Sequence, residues 1–413
     1  MRPPAAPVPT GGAPLIVRAL RTPLARSRTA FKDVPVHELL APVLAALAEG
    51  TDPAALADVV VGNAAGGGGN LARLAALEAG LPESLPGITV DRQCGSGLDA
   101  IVLACRLAQA GAGRAYIAGG AESISTAPVR GRRLADGGIE FYARAQHAPA
   151  HRGRGGDEAG EAESGDPDMG VAAEAVAREA GVTRARQDAF ALRSHQRALA
   201  AAARGAFDGE LVAVRGAGTG GGGWVYADNG PRPSLRPELL ARFPAAFVPG
   251  GRVTAGNSCP DADGAAGVLV VAPGEAAPGM LAGRTALAFR DAETVGVDPR
   301  RLGLGAAAAA ERLLARGGIS ADALAAIEFN EAFAGQVLAC MDRLGLDDSR
   351  VEAVLNTDGG ALALGHAYGA SGAVSVVRLL ARAQQLPEGA LCLAMISSAG
   401  GIGTAALFEA VRL

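Results

Sequence analysis

Val90-Asp91-Arg92-Gln93-Cys94-Gly95-Ser96-Gly97-Leu98-Asp99-Ala100-Ile101 leads from a short apolar strand, Ile88 to Val90, through a glycine-punctuated turn into the Ala/Leu-rich periodicity of Gly97 to Ala110. A strand ending in such a turn and opening a helix is the repeating step of an α/β fold. The rhythm extends outward in both directions. Before the turn lie strands at Leu15 to Leu20 and Asp58 to Val61 with a helix at Val36 to Glu49 between them; after it, a strand at Arg114 to Ala118 runs into Gly119-Gly120-Ala121-Glu122-Ser123. These alternations predict a mostly parallel sheet.

The rhythm then breaks. Arg130 to Asp168 has little periodicity, and its central part, His151 to Pro167, is close to low complexity. Helical spacing returns at Met169 to Ala180 and Arg184 to Arg204, followed by the glycine run Gly216 to Gly223 and a strand at Gly267 to Val271. A second α/β unit completes the chain. It holds strands at Thr285 to Arg290, Ala326 to Phe329 and Val351 to Leu355, helices at Ala306 to Ala315, Phe333 to Leu344 and Gly372 to Arg382, and a hairpin of Ala390 to Ile396 with Gly403 to Phe408. Two α/β halves around an irregular insertion point to a pseudo-duplicated core. The second half has its own glycine-rich strand-to-helix turn, Gly365-His366-Ala367-Tyr368-Gly369-Ala370-Ser371-Gly372.

Composition narrows the function classes. The 413 residues carry 38 basic and 42 acidic side chains, a net charge of −4 that speaks against a nucleic-acid partner. Hydrophobic residues at 49% supply a large core, and no apolar run reaches the ~20 residues of a membrane helix. Met1 to Pro14 is Pro/Ala/Gly-rich and reads as a flexible N-terminus without a targeting signal. The five cysteines, Cys94, Cys105, Cys259, Cys340 and Cys392, show no CxxC pair, which fits a reducing cytoplasm. Lys32 is the only lysine, so lysine-based chemistry has one candidate at most. Neither a GxGxxG after the first strand nor a P-loop is present, and no metal or resident cofactor is expected.

Cys94 sits where a helix N-terminus favours thiolate, although a buried cysteine at a tight turn reads the same way. A nucleophilic thiol needs a base. Of the histidines, His37, His147, His151 and His195 fall on presumed solvated surfaces, whereas His366 is enclosed by glycines. Asn330-Glu331-Ala332-Phe333-Ala334 places an amide and a carboxylate at a helix start, either as a site or as an N-cap. Ser397-Ser398-Ala399-Gly400-Gly401-Ile402-Gly403 is either a tight hairpin loop or part of the same site.

The ordered set of Cys94 to Gly97, Gly119 to Ser123, Asp168-Met169-Gly170, Thr254 to Asn257, Asp263 to Ala266, Asn330 to Ala334, Gly360 to Gly372 and Ala399 to Gly403 resembles the thiolase family over about Arg18 to Leu413. The resemblance implies two βαβαβαββ halves in a five-layered α-β-α-β-α core with an inserted loop domain. Its boundaries would be 15–121 plus 250–274, 122–249 for the insertion, and 275–413. It implies Cys94 as the acyl-accepting nucleophile, His366 as its base, and Asn330 holding a water that joins His366 in an oxyanion hole. The backbone N–H groups of Cys94 and Ala399 would form a second hole, and Met169 and Phe333 would line the acyl and pantetheine pocket. Ser397 falls where the family carries a second cysteine, the acid/base, and Cys259 takes the place of a serine near the pantetheine arm.

The function so implied is a thiolase-type acyl-CoA C-acyltransferase working by Claisen condensation or thiolysis, with coenzyme A thioesters as substrates and a homodimer or homotetramer as the assembly. Serine in place of the second thiol keeps two alternatives open: a specialised or decarboxylative condensing enzyme, and a thiolase-fold acyl-CoA-binding scaffold.

Overall fold

The computed structural model describes residues 12–142, 168–217, 222–275 and 284–413. Most of the flexible N-terminus read from the sequence, together with His147 and His151, lies outside the described residues. So does most of the low-complexity stretch.

Ten strands form one hydrogen-bonded sheet. Its order is Leu324–Phe329, Leu391–Ser398, Ile402–Arg412, Thr285–Gly296, Leu15–Arg21, Ala262–Val271, Ala115–Glu122, Leu56–Gly62 and Gly87–Val90, with Ala25–Arg26 pairing Ala262–Val271. The two halves meet at the centre, where Leu15 lies opposite Ala288 and Ile16 opposite Leu287. The sheet is mixed rather than mostly parallel. Only Leu56–Gly62 with its two neighbours and Leu324–Phe329 with Leu391–Ser398 run parallel. Strand Ala262–Val271 returns from the insertion antiparallel to both its long neighbours, and the last two strands form a hairpin. Strand direction after a long insertion has no local sequence signal, which is why alternation alone misjudged it.

The helices divide the apolar residues into three main buried clusters. Val36–Ala48 and Leu71–Glu78 cover one outer face with Leu39, Leu44 and Ala75. Gly305–Gly317 and Ala334–Arg343 cover the other with Leu313, Val337 and Met341. Between the half-sheets lie Ser96–Gln109 and Tyr368–Ala383, with Leu98, Ile101, Val376 and Leu379 in the central cluster. These two helices touch almost backbone to backbone: a Cβ on Gly97 would stand 2.5 Å from the Gly369 carbonyl oxygen. Glycine here serves close packing, and it brings the two helix starts, and with them the two glycine-rich turns, together.

The strand expected at Val351 to Leu355 is instead a helix, Asp348–Val354. Asp347 caps it by accepting a 2.8 Å hydrogen bond from Arg350 N–H, and Val351 and Val354, three residues apart, both reach the core. Only Leu355 bridges to Ile327. Beyond it Asn356, with φ +42°, uses its side-chain amide to bond both Phe329 N–H and Phe329 C=O, replacing an edge strand.

Candidate active site

Cys94 stands at the end of a locked turn. Gln93 adopts a left-handed φ of +52°, and Asp91 Oδ1 accepts its N–H at 2.7 Å. Ser96 Oγ accepts from Arg92 N–H at 2.7 Å and donates to Gln93 C=O at 2.6 Å. The N–H groups of Gly95 and Ser96 are committed to the carbonyls of Arg92 and Gln93. Cys94 itself is half-buried against the central cluster.

His366 is held from several sides. Its N–H donates to Pro260 C=O at 2.8 Å, its C=O accepts from Ala262 N–H at 3.2 Å, and the side chain is 4% exposed. Ring Nδ1 lies 2.6 Å from Ser371 Oγ. The Ser371 hydroxyl donates to Ala367 C=O at 3.0 Å, so towards the ring it accepts. That fixes the proton on Nδ1 and leaves a lone pair on Nε2, which is buried without a hydrogen-bond partner. Burial pushes the His366 pKa down to about 4, so the ring is neutral at pH 7.

The His366 turn is tied to the first half through Glu122. Its buried carboxylate accepts from Gly369 N–H at 3.0 Å, Ala64 N–H at 3.0 Å and Asn63 Nδ2 at 2.7 Å. Tyr368 packs edge-on to the His366 ring at 5.0 Å and donates to Asp261 Oδ1 at 2.7 Å.

Asn330 follows strand Leu324–Phe329 and donates its N–H to Met395 C=O at 3.3 Å. Its Nδ2 is a buried donor without a partner. The N-cap alternative for this segment is not realised: helix Ala334–Arg343 starts after Phe333 without a side-chain cap. Glu331 is fully engaged by Ser194 Oγ at 2.6 Å, Asn356 Nδ2 at 2.8 Å and Leu362 N–H at 3.2 Å. Asn330 and Ser371 line one cavity.

The segment from Asn257 to Asp261 stitches these pieces together. Asn257 C=O accepts from Ala334 N–H, Cys259 N–H donates to Ala332 C=O at 2.9 Å, and Asp261 bridges to His366. Met169, Cys259 and Phe333 pack into one small apolar cluster with Ala173, Val253 and Ala332. Burial raises the Cys259 thiol pKa, with further contributions from nearby Asp261 and Cys94.

Ser397, which the resemblance puts in the acid/base position, lies near the end of strand Leu391–Ser398. Along strand Leu391–Ser398, Leu393 and Met395 face the outer helices, whereas Cys392, Ala394 and Ile396 face the central layer. Ser397 belongs to the outer set. Its hydroxyl donates to Gly303 C=O at 2.8 Å and accepts from Ala306 N–H at 3.0 Å, clamping the start of helix Gly305–Gly317. Ser398 points inward, and a Cβ on Gly95 would lie 2.9 Å from its Oγ.

Two further readings change. His195 is buried rather than solvated, accepts Arg232 N–H on Nδ1 at 3.2 Å, and has its pKa pushed down to about 4, by burial first and by Arg232 and Arg26 next. Glu122, Ser371 and Tyr368 stood inside quoted motifs without a role: Glu122 reaches Gly369 and Tyr368 reaches Asp261 across distant segments, whereas Ser371 bonds His366 within one turn. Among the described residues no group of three or more His, Cys, Asp or Glu side chains could hold a metal ion, and no helix is long and apolar enough to cross a membrane.

Comparison with known proteins adds an independent line. The family model described as thiolase, N-terminal domain, matches residues 15–273, and that described as thiolase, C-terminal domain, matches 284–410. A Bacillus subtilis protein named as an acetyl-CoA C-acetyltransferase, YhfS, is 39% identical over 395 residues, covering 96% of this chain and 98% of its own. VraB of Staphylococcus haemolyticus, named likewise, is 39% identical over 405 residues, covering 96% and 99%. The crystal structure of the Bacillus anthracis acetyl-CoA acetyltransferase superposes with a TM-score of 0.83 at 32% identity, covering 97% and 99% of the two chains.

Proposed function

Since this chain belongs to the thiolase family and is a thiolase-type acyl-CoA acyltransferase, we propose that Cys94 accepts the acyl group and that His366 is the base that activates it. The observation that carries this reading is the pair of buried, unpartnered atoms His366 Nε2 and Asn330 Nδ2, held by two loops that one strap stitches together. Unsatisfied buried polar atoms are uncommon and mark places where a ligand or water completes the bonding. A neutral imidazole with its lone pair on Nε2 is the form that takes a thiol proton.

In the first half-reaction the Cys94 S–H proton passes to His366 Nε2 as sulfur attacks the thioester carbonyl. The tetrahedral oxyanion accepts from the backbone N–H groups of Cys94 and Ala399, and the CoA sulfur leaves with the proton that His366 returns. One such donor contributes about 3–4 kcal/mol in comparable holes. In the second half-reaction Asn330 Nδ2 holds a water, beside His366, that donates to the carbonyl oxygen of the second acyl-CoA. Met169, Cys259 and Phe333, packed in one cluster, form the apolar wall for acyl chain and pantetheine.

The same reading divides the chain into 15–121 with 250–274, an insertion at 122–249, and 275–413. It makes the enzyme a cytoplasmic homodimer or homotetramer. Supporting this, none of the five cysteines forms a disulfide. The sheet ends on Gly87–Val90, where Ile88 is 42% exposed beside exposed Leu74 and Leu77, an edge that a second copy can cover.

Incubation with acetyl-CoA followed by intact mass tests the proposal: an acetyl adduct forms and disappears in Cys94→Ala. Failure of the wild-type protein to acquire an adduct from any acyl-CoA returns the reading to a binding scaffold. Decarboxylative condensation is favoured by one observation, the absence of a thiol at the end of strand Leu391–Ser398. Condensation from malonyl-type donors alone would establish it.

A further inference from the structure

We infer that a buried water joins Asn330, Ser375 and Arg378 in the cavity they share, and that Ser375 thereby acts as a positioning residue for the Asn330 amide. The kinetic part rests on the reading of Asn330 as an oxyanion donor; the water itself does not. Helix Tyr368–Ala383 lies in the central layer, yet Ser371, Ser375, Arg378 and Arg382, at steps of four, three and four residues, form a buried polar stripe along it. The first three of these, with Asn330 and Glu328, line a cavity of ≈ 30 Å³. At ~10–15 Å³ for each molecule, that is room for about two waters. Two of the lining side chains keep a buried nitrogen without a hydrogen-bond partner, Nδ2 of Asn330 and Nε of Arg378. Orphaned donors are uncommon, and two on one cavity point to a shared acceptor.

Charge decides what that acceptor is. Arg378 pairs with Glu210 and Asp358, Asp358 also with Arg204, Glu210 also with Arg21, Arg21 also with Asp228, and Arg382 with Glu328. Four guanidinium groups meet four carboxylates, so no excess positive charge holds an anion, and one would be repelled by Glu328 on the cavity wall. A neutral molecule fits.

Ser375 supplies the other half of the bonding. Its hydroxyl donates to Ser371 C=O at 3.3 Å and keeps lone pairs with which to accept. A water in the cavity accepts from Asn330 Nδ2 and Arg378 Nε and donates to Ser375 Oγ and, directly or through the second water, to the Glu328 carboxylate. The Asn330 amide carries two N–H hydrogens, so one serves the substrate side while the other is tied to the cavity. The amide is thereby held in one orientation from behind. Through Arg378 it is also coupled to Glu210, and through Asp358 to Arg204, both from the irregular middle of the chain.

Two experiments on the full chain test this. Crystal structures of the wild-type and Ser375→Val proteins should show ordered water within hydrogen-bonding distance of Asn330 Nδ2 and Ser375 Oγ in the first and none there in the second. A dry cavity in the wild-type protein overturns the inference, as does an anion such as chloride in that place. In steady-state thiolysis of acetoacetyl-CoA, Ser375→Val is expected to lower kcat about 10-fold, a part of the ~10²–10³ that a whole oxyanion donor is worth, with KM changed less than about twofold. The rate at which acetyl-CoA acetylates Cys94, which does not use Asn330, stays as in the wild type, and Ser375→Thr, which keeps the hydroxyl, restores most of kcat. A lower thermal midpoint with kcat unmoved, or equal slowing of both steps, overturns the positioning role. If Asn330→Ala leaves kcat unchanged, the oxyanion reading of Asn330 falls, and the pair of crystal structures decides the water by itself.

Discussion

The turn at Cys94 and the turn at His366 occupy corresponding places, each opening one of the two central helices, Ser96–Gln109 and Tyr368–Ala383. They differ in exposure and in what holds them. The Cys94 turn is self-contained, locked by Asp91 and Ser96 within a few residues, and leaves the cysteine half-exposed. The His366 turn is held from afar, by Pro260 and Ala262 and through Glu122 on the other half, and its histidine is buried. One supersecondary step thus yields two chemical environments. A nucleophile has to be reached by substrate, whereas a base works best kept neutral and fixed.

If that division is correct, breaking the exposed member costs most. Cys94→Ala is expected to abolish the acyl adduct and lower kcat/KM by about 10³-fold or more. His366→Asn lowers kcat by about 10²–10⁴-fold, the usual worth of a positioned base. Asn330→Ala removes one oxyanion donor and lowers kcat by about 10²–10³-fold. Steady-state kinetics with acetoacetyl-CoA and CoA check all three. Ser371→Ala sharpens the comparison: freeing the Nδ1 tautomer lowers kcat by about 10-fold with little change in KM, and Ser371→Thr restores most of it.

Stability against pH probes the buried member. His366 has an ordinary pKa of 6.5 lowered to about 4 in the fold, as has His195. The unfolded chain takes up a proton below pH 6.5 while the folded chain resists until about pH 4. Stability is therefore full above pH 6.5 and falls between 6.5 and 4, by at most about 1.4 kcal/mol per pH unit for each histidine. Denaturant midpoints should show this slope, and His366→Asn should flatten it. Were the slope unchanged in that variant, burial of His366 would not be its cause.

Much of the fold was legible from local pattern. The helices Val36–Ala48, Ser96–Gln109 and Arg184–Ala203 lie within a residue or two of where periodicity put them. Val351 to Leu355 misled because Val351, Val354 and Leu355 read as a short strand until the Asp347 cap is weighed. At the site, Cys94, His366 and Asn330 stood out because glycines and a helix start surround them. Glu122 did not, because its contact to Gly369 spans 247 positions, and Ser371 did not, because nothing in the residue pattern marks its hydroxyl as the partner of His366.

The amino-acid sequence by itself determined the α/β architecture and the family, since these rest on short-range patterning and on an ordered set of motifs. The tertiary structure alone decided strand direction and the burial and charge of His366. Each of those depends on packing against distant segments, His366 being held between Pro260 and Ala262.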